Sequence, residues 1–497
     1  MFKDLTYPQV WSLFDQIRQI PRPSFKEEAI RQFIYQWAQA HDFKIVEDKA
    51  HNLVIYIPAT EGYENAEIIA TQGHLDMVCE KHSNIEFNFE TDAIDIYRDG
   101  DWIKARGTTL GADNGIGVAL AMAAATDPSV IHGPMEILLT ATEEKGLVGA
   151  RNLDPNILNA HYMINIDSES WGEFCIGCAG GGDSIVELPV ESVKSNLNDQ
   201  AYNIKISGLK GGHSGIDIHK GRGNALKILT RILSSIPHAK LVSFEGGNLR
   251  NAIPREAFAS ILLESTQKDK EIHIINEAFS LTQKELSAIE PNLSLEITAQ
   301  DTIPQNYLKL SSQMKLLNLI EALPHGVVSM DYHMPDLVET SSNLASVKYN
   351  QQNKQFIITL STRSSVSSKL EAQRQHITSI TKLANAAIEH DEAYPGWQPN
   401  PHSDIVKKSA KIYQQTFGND VNIAAIHAGL ECGIINGKYP NMQMISFGPD
   451  IRGAHSPDEK LNISTTIKCY DLLKNILKAL AEEKKSLTQN QKEVALA

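Results

Sequence analysis

Short apolar runs alternate with helical patterns along the first part of the chain, and this alternation most limits the possible folds. The runs typical of buried strands are residues 53–57, 68–71, 135–141 and 162–166, and those with helical patterning are residues 29–38 and 117–126. Strands that alternate with helices indicate a layered α/β domain with a largely parallel sheet. In such a sheet, ligands bind beyond the carboxyl ends of the strands. Polar residues that directly follow these strands are therefore candidates for a functional site.

The middle of the chain has a different pattern, which begins near residue 201 and ends before Pro395. Residues 202–206 alternate between apolar and polar side chains, as expected for a strand with one buried face. Further predicted elements share this segment: strands at 240–244, 257–263, 293–298, 344–349 and 356–360, and helices at 224–236, 271–289, 308–323 and 367–388. This mixture predicts an α+β domain.

The α/β pattern returns after Pro395, with strand candidates at residues 422–426 and 442–447 that would complete the first sheet. A chain of 497 residues is also too long for one hydrophobic core, since such cores stop growing at about 250–300 residues. We therefore predict an α/β fold of two domains. Residues 1–187 and 395–497 form a split α/β domain, and residues 188–394 form an inserted α+β domain.

The composition excludes several classes of protein. Hydrophobic residues make up 42% and charged residues 21%, which is typical of globular domains. With 46 Lys and Arg against 60 Asp and Glu, the net charge is −14, and a nucleic acid would be repelled. The longest apolar run, residues 118–125, is far shorter than the roughly 20 residues that span a membrane. Five cysteines and no visible signal peptide indicate a reducing compartment. We expect a cytoplasmic protein with neither a nucleic-acid nor a membrane partner.

Two of the candidate positions have a purely structural interpretation as well as a functional one. His74 follows a predicted strand and can offer one ring nitrogen to a metal ion, while Asp76 holds the other nitrogen. A histidine alone is more often an ordinary core or surface residue. Asp113 lies between a glycine-rich turn and a helix, where it could cap the helix or bridge two cations. Neither position identifies a site by itself.

Acidic residues also follow the next two strands. Glu143 and Glu144 come directly after one strand, where charge without a partner would be costly. One such carboxylate can bind a metal ion while its neighbour takes a proton from water. A solvated acidic loop is the alternative. Asp167 ends the following strand, and His455 lies in a loop after the last predicted strand.

Together these positions place two histidines and three carboxylates at one edge of the predicted sheet: His74, Asp113, Glu144, Asp167 and His455. Imidazole nitrogens and carboxylate oxygens are the ligands of hydrolytic two-zinc sites, in which the metals lie about 3.5–4 Å apart. The motifs of P-loop and dinucleotide-binding proteins, HExxH metallopeptidases and GxSxG hydrolases do not occur. The grouping of all five residues therefore predicts a two-zinc hydrolytic site.

Longer motifs that contain these residues resemble the zinc aminoacylase, carboxypeptidase and dipeptidase superfamily. They are GHLDMV at 73–78, TTLGADNGIG at 108–117, TATEEKGLVGA at 140–150, NIDSE at 165–169, GGHSG at 211–215, HAGLECG at 427–433 and GAHSPDE at 453–459. The motifs span nearly the whole chain in the order of the family. The resemblance implies a split α/β catalytic domain with an inserted lid and dimerisation domain. It also implies a homodimer with two zinc ions per subunit, or manganese or cobalt in their place.

The resemblance further implies a role for each residue at the sheet edge. Each zinc ion would have three ligands with one carboxylate shared: His74, Asp113 and Asp167 for one ion, and Asp113, Glu144 and His455 for the other. Asp76 would orient His74. Glu143 would be the general base, which activates the bridging water and returns the proton to the leaving amine.

Residues of the inserted segment also match lid residues of the family. His213 would reach a neighbouring active site and stabilise the oxyanion, although the sequence alone shows only a histidine in a glycine-rich loop. Asn343 and Arg363 would bind the end of the substrate, since a guanidinium is a two-pronged partner for a carboxylate. An exposed charge at a strand end is the alternative for Arg363. His427 and Glu431 lie in a motif that lines the same cleft in relatives.

The activity implied by the resemblance is hydrolysis of dipeptides, including Xaa-His dipeptides such as carnosine-like molecules. Two alternatives are open. The same zinc chemistry could act on N-acyl amino acids or tripeptides, or the chain could be a non-catalytic protein that binds metal or peptide. Glu143 argues against the non-catalytic alternative, because a binding protein needs no free base beside a ligand.

Overall fold

The computed structural model describes residues 2, 4–196 and 198–496, with side chains up to residue 483. The chain divides into two compact units. Unit 1 comprises Met1–Cys178, Trp397–Ala425 and Leu430–Ala497, and unit 2 comprises Ala179–Gly396 and Ile426–Gly429. Unit 1 is therefore built from segments on both sides of unit 2 in the sequence.

The helices and strands of both units are numbered in chain order. The helices are α1 (Pro8–Ile17), α2 (Glu28–Ala40), α3 (Ala112–Thr126), α4 (Val148–Asn152), α5 (Ala225–Ser234), α6 (Lys268–Leu286), α7 (Leu310–Ala322), α8 (Ser367–Leu383), α9 (Asp404–Phe417), α10 (Glu431–Lys438) and α11 (Ile463–Leu496). The strands of unit 1 that precede unit 2 are β1 (Lys44–Glu47), β2 (Leu53–Ile57), β3 (Ile69–His74), β4 (Ile96–Asp99), β5 (Trp102–Ala105), β6 (Met135–Thr140), β7 (Tyr162–Asn165) and β8 (Glu173–Cys178).

The remaining strands lie in unit 2 and in the second part of unit 1. Those of unit 2 are β9 (Gly180–Pro189), β10 (Ser192–Lys194), β11 (Asp199–Ser207), β12 (Gly212–His213), β13 (Lys240–Gly246), β14 (Ala252–Ile253), β15 (Ala257–Glu264), β16 (Ser294–Ala299), β17 (Asn306–Leu308), β18 (Gly326–Met330), β19 (Val338–Asn350), β20 (Gln355–Ser364) and β21 (Ala387–His390). The last strands of the chain are β22 (Asn422–Ile426), β23 (Gln443–Ser446), β24 (Ile451–Arg452) and β25 (Lys460–Asn462).

An eight-stranded sheet forms the centre of unit 1, in the order β1-β2-β6-β3-β7-β23-β8-β22. Its four middle strands, β6, β3, β7 and β23, are parallel. On one side of these strands β2 pairs antiparallel with β6 and β1 pairs antiparallel with β2, and on the other side β8 pairs antiparallel with β23. The middle strands β3, β6 and β7 are buried along their whole length, as expected for a sheet covered on both faces. Thus β22 and β23, from the end of the chain, join the sheet as the sequence predicts.

Helix α3 packs closely against the middle of this sheet because its residues are small. It contacts β3, and its sequence ADNGIGVALAMAAAT consists mainly of alanine and glycine. A Cβ atom at Gly117 would lie 2.3 Å from the carbonyl oxygen of Ile166, so only glycine fits there. The start of α3 is thereby held close to the end of β7.

A largely antiparallel sheet of nine strands forms unit 2, in the order β16-β11-β15-β13-β19-β20-β9-β21, with β18 paired to β19. The core of the unit contains apolar side chains of α5, β13 and β20, among them Leu229, Phe244 and Phe356. Asn224 caps α5, since its side chain accepts hydrogen bonds from the backbone N–H groups of Leu226 and Lys227. This unit has the α+β character that the sequence predicts.

One helix boundary differs from the sequence prediction. Helix α8 ends at Leu383 and not near residue 388, because Asn385 adopts a left-handed conformation with φ of 52°. The next residues, Ala387–His390, form β21 and pair with β9. Within the described part of the chain, no helix is both long enough and apolar enough to cross a membrane.

Candidate metal and catalytic site

The candidate ligands of unit 1 lie at the carboxyl ends of three adjacent strands. His74 is the last residue of β3, and Asp76 follows it. Glu143 and Glu144 follow β6, and Asp167 follows β7. Since β3 is hydrogen-bonded to both β6 and β7 in parallel, all three strand ends point to the same edge of the sheet.

Asp113 stands between two groups of ligand atoms and offers one oxygen to each. Its Oδ1 lies 2.9 Å from His74 Nε2, which is also 3.4 Å from Asp167 Oδ1. Its Oδ2 lies 3.2 Å from His455 Nε2, which is also 3.2 Å from Glu144 Oε2. In each of these two groups the three ligand atoms lie within 4.8 Å of one another. The structure therefore brings together the five residues that the sequence proposes as ligands.

The position of Asp113 is set by the start of α3. Asp113 is the second residue of this helix, and its peptide bond to Asn114 is cis. The Asn114 side chain donates a hydrogen bond of 2.6 Å to the carbonyl of Ile166. Because Asp167 is the next residue, this bond links the loop of Asp113 to the loop of Asp167.

Asp76 is completely buried and contacts both His74 and the loop after β6. Its carboxylate accepts hydrogen bonds from the backbone N–H groups of Glu143 at 2.9 Å and Glu144 at 3.2 Å, and from the Ser24 hydroxyl at 2.7 Å. It also lies 3.4 Å from His74 Nδ1. Burial opposes ionisation of Asp76, but the hydrogen bonds from His74 and Ser24 hold its pKa below the usual value. Asp76 thus orients the His74 ring and the two glutamates together.

Several carboxylates share this small volume, and their mutual repulsion is visible in their pKa values. Burial raises the pKa of Asp167 to about 6 and that of Glu169 to about 7, and nearby carboxylates add to both shifts. Hydrogen bonds to Asp113 and Glu144 raise the pKa of His455 to about 11. The Oε1 atom of Glu144 is buried and has no hydrogen-bond partner within the described residues. Convergent carboxylate and imidazole groups with an excess of negative charge fit divalent metal ions.

Glu143 lies beside these ligands but belongs to neither group that contains Asp113. It forms a third group of nearby ligand atoms with His74 and Glu144. Burial, reinforced by Glu431 and Asp167, raises the pKa of Glu143 well above its usual value. A carboxyl group with a raised pKa next to a metal site has the position and the proton affinity of a general base.

The other predicted site residues, His213, Asn343 and Arg363, lie in unit 2 and form a separate group. The Nδ1 atom of His213 accepts hydrogen bonds from the backbone N–H groups of Gly215 at 3.2 Å and Ile216 at 3.0 Å. The neutral ring therefore carries its proton on Nε2, which can donate a hydrogen bond. Burial and the charge of Arg363 lower the pKa of His213 and favour this neutral form.

Arg363 is buried, so its alternative role as an exposed strand-end charge is wrong. The residue is 8% exposed, and on β20 it pairs with Ser341 of β19 and Gly181 of β9. Its Nη1 atom donates a hydrogen bond to the Tyr394 hydroxyl at 3.2 Å, while its Nε atom has no hydrogen-bond partner within the described residues. Asn343, on the adjacent strand β19, donates to the carbonyls of Arg250 and Ala252, and its Oδ1 is buried without a described partner. Unit 2 therefore holds a buried cation and a buried amide with free hydrogen-bonding capacity.

His427 joins this group in unit 2, and Glu431 lies in unit 1. His427 Nε2 and the Ser341 hydroxyl are 2.7 Å apart, and burial together with Arg363 lowers the pKa of His427 to about 3. Glu431 accepts hydrogen bonds from Gln72 at 2.7 Å and Thr140 at 2.6 Å, and burial raises its pKa to about 8. The Glu431 carboxyl group therefore contacts side chains near the carboxyl ends of β3 and β6.

Two buried charged residues of unit 1, Arg22 and Glu459, contact the Asp113 loop but were not predicted from the sequence. Glu459 accepts hydrogen bonds from the backbone of the Asp113 loop, and Arg22 donates one to the same loop. Glu459 ends the GAHSPDE motif that contains His455, so its spacing from a ligand was an available signal. Arg22 lies in a proline-containing segment far from every motif, and no local pattern points to it.

A site of histidines and carboxylates at the carboxyl edge of an α/β sheet, with one aspartate shared by two groups of candidate ligands, is typical of metal-dependent hydrolases. The chain belongs to Peptidase family M20/M25/M40, whose model matches residues 70–479. It is therefore a peptide hydrolase, and the predicted two-domain α/β peptidase fold is confirmed.

Two relatives are similar over nearly their whole length. The chain is 41% identical over 478 residues to the cytosol non-specific dipeptidase of Escherichia coli K12, which covers 95% of this chain and 97% of that protein. The crystal structure of aminoacylhistidine dipeptidase from Vibrio alginolyticus matches with a TM-score of 0.92 and 38% identity, over 96% of this chain and 98% of that one. The aminopeptidase PepT of Bacillus cereus shares the fold, with a TM-score of 0.56 and 16% identity over 96% and 99% of the chains.

Metal binding to the metal-free chain is expected to release protons. His455, with its pKa raised to about 11, is protonated at neutral pH and must lose this proton before Nε2 can bind a metal ion. The apparent zinc affinity should therefore rise with pH, about tenfold per unit for each proton released. Below pH 6 it should fall more steeply, because Asp167, with a pKa of about 6, then also carries a proton. Calorimetric titration in two buffers of different ionisation enthalpy measures the proton count, and an affinity independent of pH between 6 and 8 would contradict this account.

Proposed function

We propose that this protein is a cytoplasmic, zinc-dependent dipeptidase whose substrates include dipeptides with a C-terminal histidine. The observation that carries the proposal is the pair of ligand groups that share Asp113, because this arrangement suits a hydrolytic site with two metals. The dipeptidase of Escherichia coli, 41% identical, supports the dipeptide substrate and the cytosolic location. The aminoacylhistidine dipeptidase of Vibrio alginolyticus supports the Xaa-His preference.

The residues that would hold the two zinc ions follow from the two groups. His74, Asp113 and Asp167 would bind one ion, and Asp113, Glu144 and His455 would bind the other. Manganese or cobalt ions suit the same nitrogen and oxygen ligands. When bound, the ions lower the pKa of a water molecule and polarise the peptide carbonyl group.

Glu143 moves the proton in the proposed reaction. It takes a proton from the attacking water and returns it to the amine that leaves, so one carboxyl group acts first as a base and then as an acid. Asp76 supports this role, because it holds the backbone N–H of Glu143 and orients His74 at the same time. The raised pKa of Glu143 suits a group that must both accept and release a proton near neutral pH.

The group of buried polar residues in unit 2 would bind the substrate. Arg363 is suited to the C-terminal carboxylate of a dipeptide, since its guanidinium is buried and only partly hydrogen-bonded. The amide of Asn343 offers a second polar contact. His213 offers an Nε2–H donor, which suits the oxygen that becomes negative during attack on the carbonyl. We propose that residues 188–394 act as a lid and as the contact surface of a homodimer.

Replacement of Glu143 by Gln should abolish turnover and leave the metal in place. The amide has the shape of the carboxyl group but cannot accept the proton, and such groups contribute about 10²–10⁴-fold to the rate. The measurement is kcat for β-alanyl-histidine, together with the zinc content of the purified protein. Glu61→Gln, at an exposed position of unit 1, serves as the control. Turnover of Glu143→Gln within tenfold of the unchanged protein would refute the assignment.

The substrate class is tested on the unchanged protein in the same assay. We expect dipeptides, including Xaa-His, to be cleaved with higher kcat/KM than N-acetylated amino acids or tripeptides. A preference for either of the last two classes would make the protein an amidohydrolase or a tripeptidase on the same scaffold.

If His213 acts across a dimer, two inactive variants should complement each other. A mixed dimer of His213→Ala and Glu143→Gln has one site with both residues intact. After dissociation and random reassociation of equal amounts, about a quarter of the activity should return. The activity of the mixture is compared with that of each variant treated alone. If the mixture stays as inactive as the separate variants, His213 does not act across subunits.

A further inference from the structure

Two buried charged residues hold the Asp113 loop, residues 110–113, from different sides. Glu459 and Arg22 are each 2% exposed and lie in unit 1. Neither belongs to a group of ligand atoms, and neither has a role in the proposed proton transfer. Buried charges are costly unless hydrogen bonds or opposite charges compensate them.

The Glu459 carboxylate accepts hydrogen bonds from the backbone N–H groups of four consecutive residues. Its Oε2 accepts from Leu110 at 2.7 Å and Gly111 at 2.9 Å, and its Oε1 accepts from Ala112 at 2.8 Å and Asp113 at 3.2 Å. These N–H groups stand at the start of α3, where the helix itself provides no acceptors. One side chain therefore fixes the backbone from Leu110 to the shared ligand Asp113.

Arg22 binds the same loop through a carbonyl group and joins it to the loop that follows His74. Its Nη1 atom donates hydrogen bonds to the carbonyls of Leu75 at 2.9 Å and Asp76 at 2.6 Å, and its Nη2 atom donates one to the carbonyl of Gly111. Only glycine leaves room for this guanidinium, because a Cβ atom at Gly111 would lie 2.7 Å from Nη2. Gly111 also has a φ of +70°, which favours glycine.

These contacts connect the ligands of both metal groups. Glu459 follows His455 by four residues in the same loop, so its bonds tie the His455 loop to the Asp113 loop. Arg22 ties the Asp113 loop to the residues that follow His74. The loops that carry three candidate ligands, His74, Asp113 and His455, are thus connected by the side chains of Glu459 and Arg22.

We propose that Glu459 and Arg22 are positioning residues that set the metal affinity of the site by holding the Asp113 loop between the His74 and His455 loops. The inference rests on the proposed metal site and adds to it the residues that preorganise the ligands. Their contribution is geometric: with the loop fixed, Asp113 presents one oxygen to each group of ligand atoms.

The decisive variant is Glu459→Gln, measured by zinc titration of the metal-free, full-length protein. The amide keeps the shape of the side chain but turns an NH₂ group toward two of the four N–H donors, so the loop should lose its fixed position. Partners behind metal ligands typically contribute about 10–100-fold to metal affinity, and we expect a loss of this size. Arg22→Lys should shift the affinity in the same direction, because an ammonium group cannot reproduce the planar fork that reaches three carbonyls.

Glu136→Gln is the matched control. Glu136 is also 2% exposed and accepts backbone N–H hydrogen bonds from Asn159 and Ala160, but it lies near the start of β6, away from the ligand edge. Its replacement should lower the melting temperature and change the zinc affinity less than threefold. If Glu459 only stabilised the fold, Glu459→Gln would behave like this control: its melting temperature would fall and its zinc affinity would change less than threefold.

The possible outcomes separate the two proposals. If the unchanged protein binds no zinc, the proposed metal site fails. If it binds zinc and Glu459→Gln binds zinc within threefold of it, the positioning role is overturned and the metal site stands. Should Glu459→Gln not fold, Glu459→Asp replaces it, since the shorter side chain keeps the charge but withdraws it from the loop. Unchanged zinc affinity in that variant overturns the positioning role equally.

Discussion

The contacts of the Asp113 carboxylate with His74 and His455 are the interaction on which the arrangement of candidate ligands in unit 1 depends. Each of its oxygens faces a different histidine, so a single side chain joins two groups of ligand atoms. This requires three loops from distant parts of the chain to meet at one aspartate. The parallel middle of the sheet provides the meeting place, because β3, β6 and β7 all end at the same edge.

The concentration of carboxylates at this edge is unfavourable in itself, and the surrounding structure compensates for it. Backbone N–H groups stabilise the carboxylates of Asp76 and Glu459, and the pKa of Asp76 lies below its usual value. At Glu459 burial outweighs these bonds and raises the pKa to about 7, and burial also raises the pKa values of Glu143 and Asp167. Carboxyl groups with a raised pKa gain most from a nearby cation. Under the proposed function, the same arrangement accounts both for the binding of metal ions and for a free base beside them.

The two units contain different kinds of polar groups. Unit 1 contains the acidic residues and the histidines that suit metal binding and proton transfer. Unit 2 contains Arg363, Asn343 and His213, which offer positive charge and hydrogen-bond donors. Such groups suit the carboxylate and the carbonyl of a peptide.

Much of the fold could be predicted from the sequence because the signals are local. The strands β3, β6 and β7 include short apolar runs, and the rule that ligands bind at carboxyl ends of parallel strands then selected His74, Glu144 and Asp167 as neighbours. Contacts between distant residues leave no local signal: Glu459 meets Leu110 across 349 positions of sequence. The end of α8 was missed because a single left-handed residue, Asn385, followed by sheet pairing overrides the helical pattern. The burial of Arg363 could not be predicted either, because it depends on residues that the sheet brings next to it from distant parts of the sequence.

The most direct test of the shared aspartate is anomalous X-ray diffraction at the zinc edge from crystals of the zinc-loaded protein. The account predicts two zinc peaks, each at about 2.0–2.2 Å from a different oxygen of Asp113. One should also contact His74 and Asp167, and the other Glu144 and His455. A single zinc peak, or two peaks of which one has no Asp113 oxygen within bonding distance, would contradict it.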